Sequence, residues 1–145
     1  GYHPINNLRY SLKLTPALNI KARITLIRDV EIGVGVSYGH LFKTKRKTKL
    51  AVVAIGYADG VSRALSGKIS VSIDGVLVPQ VGAITMDQMV IDITDKPDTK
   101  IGQICTILGQ DNNVFISPEI WCDHTGSILW EVLCNFKNRL PRILI

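Results

Sequence analysis

Ile69-Ser70-Val71-Ser72-Ile73-Asp74-Gly75-Val76-Leu77-Val78 decides the fold class. Two apolar, β-branched runs flank Asp74-Gly75, a dipeptide that takes the positive φ angles of a tight turn matched to strand twist, so the spacing predicts a β-hairpin. Pro79 is expected to end the second strand, because proline brings no N–H to a ladder. Working outward, Lys21–Val30 is rich in β-branched residues, and Lys49–Ile55 is a nearly continuous apolar run that stops at Gly56. Met89–Thr94 alternates apolar and polar residues before Asp95-Lys96-Pro97-Asp98, and Gln103–Leu108 stops at Gly109. Each reads as a strand. Short strands separated by Gly, Asp and Pro imply a mainly β fold, a closed or sandwich-like β domain.

The character changes after Gln110. Ser117-Pro118-Glu119 has the chemistry of a helix start: a serine cap, a proline in the first turn and an acid near the positive end of the dipole. That helix is expected to end near Thr125-Gly126. A second is predicted over Ser127–Lys137, with Ile128, Leu129, Val132, Leu133 and Phe136 at helical spacing, closed by Pro141. No internal repeat or low-complexity linker interrupts the chain, so residues 1–145 read as one β domain with short helices near its C-terminus.

The chain has 145 residues, 46% hydrophobic and 20% charged, within the range of an ordinary globular domain that buries a core without disulfides. It is too short for a (β/α)₈ barrel, which takes about 250 residues. Cys105, Cys122 and Cys134 are odd in number and scattered, which argues against a disulfide framework and a zinc site and fits a reducing, cytoplasmic setting. No apolar run is long enough to span a membrane, and the start lacks the shape of a signal peptide. Gly1-Tyr2-His3-Pro4 opens the chain without an initiator methionine, as in a processed protein or a fragment.

The net charge of +5 is concentrated in Lys43, Lys45, Arg46, Lys47 and Lys49. Such a cluster can contact phosphates, and a stand-alone module binding nucleic acid through Lys43–Lys49 is one reading of it. With only Phe42 nearby to stack on a base, the cluster reads first as a solvated edge whose lysines discourage strand pairing, with no nucleic acid as partner.

Two tyrosines sit beside glycines at strand ends, in Ser37-Tyr38-Gly39 and in Gly56-Tyr57-Ala58-Asp59-Gly60. Such loops can turn sharply and offer a ring to a ligand, or simply pack the ring. Thr85-Met86-Asp87-Gln88 is a polar turn between apolar stretches. Cys122-Asp123-His124, if helical, cannot converge on one atom, and His3 and His40 have no partner at ligand spacing, so no metal site is expected. From these residues alone the sequence says little beyond a soluble β domain.

Four segments taken in order say more: Gly35-Val36-Ser37-Tyr38-Gly39, Ile55-Gly56-Tyr57-Ala58-Asp59-Gly60, Val81-Gly82-Ala83-Ile84-Thr85-Met86-Asp87-Gln88 and Arg139-Leu140-Pro141-Arg142, preceded by Leu14-Thr15-Pro16-Ala17-Leu18-Asn19-Ile20-Lys21-Ala22-Arg23-Ile24. The series resembles the C-terminal domain of bacterial pyridoxal-phosphate-dependent alanine racemases over essentially the whole chain. The resemblance implies an N-terminal barrel, outside this chain, that holds pyridoxal phosphate through a lysine, and a homodimer in which each C-terminal domain completes its partner's active site. It implies interconversion of L- and D-alanine for cell-wall peptidoglycan. Tyr38 matches the catalytic tyrosine, Tyr57 a substrate-entry tyrosine, Met86 a residue that contacts substrate through its backbone, and Asp87 a supporting position. Trp130 stands where many relatives carry a tyrosine that touches the cofactor phosphate; an indole N–H donates one hydrogen bond and accepts none.

The chemistry behind that match is two-sided. A racemase removes the α-hydrogen of an amino acid from one face and returns a proton on the other, so it needs a base on each. Tyr38 would serve one face and the barrel lysine the other. An unperturbed tyrosine titrates near pH 10, so a cation must favour its phenolate, and the resemblance points to the barrel for that cation. The chain alone is therefore expected to be inactive. A racemase acting on serine or on several amino acids is a further reading, decided by barrel residues.

Overall fold

The structure is a computed structural model that describes Tyr2 and residues 14–144; His3 lies outside the described residues. Among the described residues nine strands form in chain order: β1 (Ile20–Val30), β2 (Gly35–Val36), β3 (Phe42–Lys43), β4 (Thr48–Val53), β5 (Ser70–Ile73), β6 (Val76–Val81), β7 (Met89–Asp92), β8 (Ile104–Asp111) and β9 (Val114–Ile116). All the pairings are antiparallel, in the order β1-β4-β7-β6-β5-β8, and β8 pairs back on β1. The sheet is closed into a six-stranded barrel, with β9 appended to β8 as a hairpin. Closure gives each of the six a neighbour on either side along part of its length.

β1 makes closure possible. Its first residues pair with β8 from Ile20 to Arg23, and from Ile24 onward it pairs with β4, with a register shift in each half. Bulges of this kind bend a strand around a corner. Ile20, Ala22 and Ile24 point inward while Lys21 and Arg23 face out, the alternation of a half-buried strand. Ile24, Val53, Ile55, Ile73, Ile91 and Ile107 meet in the interior with no exposed surface.

The Asp74-Gly75 turn forms as its residues dictate, with φ of 53° and 81°. The strands on either side run further than expected. β6 continues through Pro79, which is exposed at the point where β6 leaves β5 and begins to pair with β7 at Gln80. The missing N–H therefore falls between two ladders. β8 likewise continues through Gly109 (φ 98°), because a side chain there would collide with Asn19 and the carbonyl of Leu18. Glycine here admits a neighbouring backbone instead of ending a strand.

Helix α1 (Glu119–Thr125) starts where expected: the Ser117 hydroxyl accepts from the Glu119 N–H at 3.2 Å, and Gly126 closes the helix in the left-handed region. Helix α2 (Leu129–Cys134) is shorter than the predicted 127–137, although Val132 and Phe136 are both buried. Trp121 of α1 packs on Phe136 with ring centroids 6.0 Å apart.

Candidate functional site

Tyr38 stands on a small arm outside the barrel. β2 and β3 pair through Gly35↔Lys43 and Val36↔Phe42, and the chain between them carries the tyrosine. Val36 and Phe42 seat the arm on outward-facing barrel residues Leu50, Val81 and Val90. The tip is tightly wound: Ser37 has φ 60°, Gly39 φ 69° and His40 φ 46°. Positive φ costs energy for serine and histidine, so the surrounding contacts must hold it. One such contact is the Ser37 hydroxyl, which donates to the Ala83 carbonyl at 2.7 Å. Gly82 (φ 71°) lets the backbones approach, since a Cβ there would stand 2.7 Å from the Val36 oxygen. The Tyr38 ring ends up 73% exposed.

The loop that receives the arm also receives the Tyr57 turn. Thr85 closes residues 85–88 by bonding to the Gln88 carbonyl through both its N–H and its hydroxyl, each at 2.9 Å. The N–H of Tyr57 donates to the Thr85 carbonyl at 2.9 Å, and that of Ala58 to the Met86 carbonyl at 3.0 Å. Gly56 permits this, because a Cβ there would lie 2.3 Å from the Thr85 oxygen. Among the described residues nothing accepts from the Met86 N–H. Tyr57 is 43% exposed and Met86 52%.

A charged bridge completes the network. The Asp59 carboxylate is buried and accepts from the Gly56 N–H at 2.9 Å through one oxygen. Its other oxygen meets Arg139 Nε at 3.2 Å, and Arg139 Nη2 donates to Asp87 at 2.6 Å. The bond to Asp87, then the nearby Asp59 charge, holds the Arg139 guanidinium above its ordinary range.

The Tyr38 arm and the Tyr57 turn thus each bond to the segment that carries Met86. Tyr38 shares a shallow hollow with Thr85 and Gln88, and Tyr57 lines a different one with Arg63, Asn135 and Lys137. Trp130 sits apart, 45% exposed on α2. Past the other end of that helix the Asn135 carbonyl lies against Gly60 of the Tyr57 turn. Asp59 and Arg139 are members of the site that residue-by-residue reading missed. Both lie inside the quoted segments, but nothing in a linear pattern pairs positions 80 residues apart.

The basic cluster is mostly engaged elsewhere. Arg46 pairs with Asp95 at 2.6 Å, Lys47 lies 3.9 Å from Glu31, and Lys49 Nζ donates to the Pro97 carbonyl at 2.9 Å. No helix of the described residues is long and apolar enough to cross a membrane. Cys122, Asp123 and His124 fall on α1, and no group of three metal-ligating side chains converges among the described residues.

The family model for the alanine racemase C-terminal domain matches residues 17–144. The chain belongs to the alanine racemase C-terminal domain family. It is 58% identical to the alanine racemase of Prochlorococcus marinus and 48% identical to that of Synechocystis sp., covering all of this chain in both cases. It spans only 38% and 39% of those relatives' length. Among solved structures, the alanine racemase of Bacillus anthracis with bound L-Ala-P is similar at a TM-score of 0.93 and 35% identity, over 100% of this chain and 37% of that one. The Bartonella henselae alanine racemase with covalently bound pyridoxal phosphate is similar at 0.80 and 33% identity, over 88% and 34%. The mainly β architecture with short C-terminal helices is that of the alanine racemase C-terminal domain.

Proposed function

We propose that this chain is the part of a cytoplasmic alanine racemase that brings a proton-transferring tyrosine, Tyr38, to the active site of a partner subunit. The observation that carries the reading is the presentation of Tyr38. An aromatic ring is held 73% exposed at the tip of an arm whose base and turn are fixed by apolar contacts, a serine bond and close backbone approach. Rigid support with an exposed reactive group is the construction a positioned acid–base residue needs.

The chain's own residues divide the work. The Tyr38 oxygen takes the α-hydrogen of L-alanine as a proton and returns it in the reverse direction. A lysine of an N-terminal barrel outside this chain serves the opposite face, and that barrel supplies the cation that favours the Tyr38 phenolate. The Met86 N–H, with no acceptor among the described residues, is available for the substrate carboxylate, and the half-exposed Tyr57 lines the approach.

The phenol hydroxyls and the Met86 N–H, which has no acceptor among the described residues, also suit the surroundings of a pyridoxal phosphate site, and the half-exposed Trp130 indole, set apart from them on α2, would reach a phosphate separately through its single donor. Bound there, the cofactor supplies the electron sink that makes an α-hydrogen acidic. In this reading the protein is a homodimer that provides D-alanine for peptidoglycan, and neither nucleic acid nor a membrane is a partner. The test is an assay of the protein that contains this chain together with its N-terminal barrel. Given pyridoxal phosphate and L-alanine it should form D-alanine, and failure to racemise alanine while racemising serine would overturn the substrate assigned here.

A further inference from the structure

We propose that Arg139 is a positioning residue that locks the Tyr57 turn to the Met86 turn and so fixes the two groups that receive the substrate; this rests on the functional reading above. Tyr57 lies two residues before Asp59, and Met86 one residue before Asp87. Those two carboxylates come from different loops and meet two nitrogens of one guanidinium, Asp59 at Nε and Asp87 at Nη2, at 3.2 and 2.6 Å.

The planar fork of arginine can bond two acceptors in a fixed geometry, which the compact charge of lysine cannot. Without a cation between them, Asp59 and Asp87 would repel and push the turns apart. Asp59 cannot swing away to relieve this, because it is buried and its second oxygen is held by the Gly56 N–H. The load therefore passes into the turn itself, onto the Tyr57 and Ala58 N–H bonds to Thr85 and Met86. Arg139 holds these two turns by a hydrogen bond to Asp87 and an ion pair with Asp59, so its part is to orient the groups that meet the substrate.

The test uses the intact racemase with two variants. Asp87→Asn alters an exposed side chain and leaves the Arg139–Asp59 contact in place. Arg139→Lys keeps Asp59 neutralised while removing the fork. In both, KM for alanine should rise about fivefold with kcat near wild type, the size expected for a partly exposed charged contact that acts on binding. Hydrogen exchange at the Tyr57 and Ala58 amides should quicken by about the same factor, while the Ala51 and Ile91 amides of the barrel, each on a strand paired on both sides there, keep their protection. Unchanged exchange at Tyr57 and Ala58 overturns the lock whatever the activity. Faster exchange with an unchanged KM overturns its bearing on substrate. A wild-type protein that racemises no alanine overturns the functional reading instead, and the exchange data still decide the lock.

Discussion

Ile24, Ile73, Ile91 and Ile107 inside the barrel have no exposed surface, whereas Tyr38, Met86 and Tyr57 on the linked loops are 73%, 52% and 43% exposed. The barrel is held by many interchangeable apolar contacts and by ladders that close on themselves. The loops are held by particular atoms: one serine hydroxyl, two glycines without a Cβ, one guanidinium between two carboxylates. Damage to the first region should be felt as lost stability, and damage to the second as lost geometry at the site.

The largest effect belongs to the loops. In the intact enzyme, Tyr38→Phe should lower conversion of L-alanine by about 10²–10⁴-fold, the usual contribution of a positioned acid–base group. The cofactor absorbance of the purified protein should stay as in wild type, since the change deletes one oxygen from an exposed ring. Wild-type rates in both directions would remove Tyr38 from its role and blur the contrast between the regions.

The barrel supplies the next. Ile107→Ala empties part of a fully buried site on β8 and should cost about 2–5 kcal/mol by denaturant titration. The folded fraction should keep its kcat, and a fall in kcat at full folding would mean that the wall and the loops are not separable. Gly56→Ala lies between the two cases. The added methyl would stand 2.3 Å from the Thr85 oxygen and 2.4 Å from that of Met86, both backbone atoms that cannot swing aside. A loss of about 1–3 kcal/mol is expected from the clash, together with a raised KM as the turns separate. A stability loss with an unaltered KM would place Gly56 with the barrel.

Sequence predicted the two regions unequally, for a physical reason. The β-branched residues of Lys21–Val30, the alternation in Met89–Thr94 and the Asp74-Gly75 turn encode local backbone geometry, so the strands and the hairpin could be read from neighbours alone. Pro79 and Gly109 misled because each was judged as a strand breaker, while its real task depends on a partner distant in sequence: a change of ladder for Pro79, the approach of Asn19 for Gly109. Barrel closure rests on β1–β8 pairing across more than 80 residues, which no window reveals. At the candidate site, Tyr38, Tyr57 and Met86 were singled out through a motif resemblance. The Asp59–Arg139–Asp87 bridge was not, because its members reveal their partnership only in three dimensions.

The smallest predicted effect tests whether the wall contains a tie of the loop kind. Asp111, at the end of β8, accepts from the Ser72 hydroxyl at 2.6 Å and from the Gly75 N–H at 2.9 Å, joining the Asp74-Gly75 turn to the next hairpin. Burial alone would raise its pKa, but those two bonds, with Lys21 nearby, outweigh it and hold the carboxyl below its usual range. A carboxyl depressed in the folded state stabilises fully above its unfolded pKa, near 3.9, and that contribution is lost as pH falls through the folded value. Wild type should therefore lose stability below about pH 4 more steeply than Asp111→Asn, which cannot titrate there. The difference should be modest because Asp111 remains partly open to solvent. Denaturation midpoints measured from pH 7 down to 3 decide it: parallel curves for the two proteins would mean that this end of the barrel is held by its apolar contacts and ladders alone.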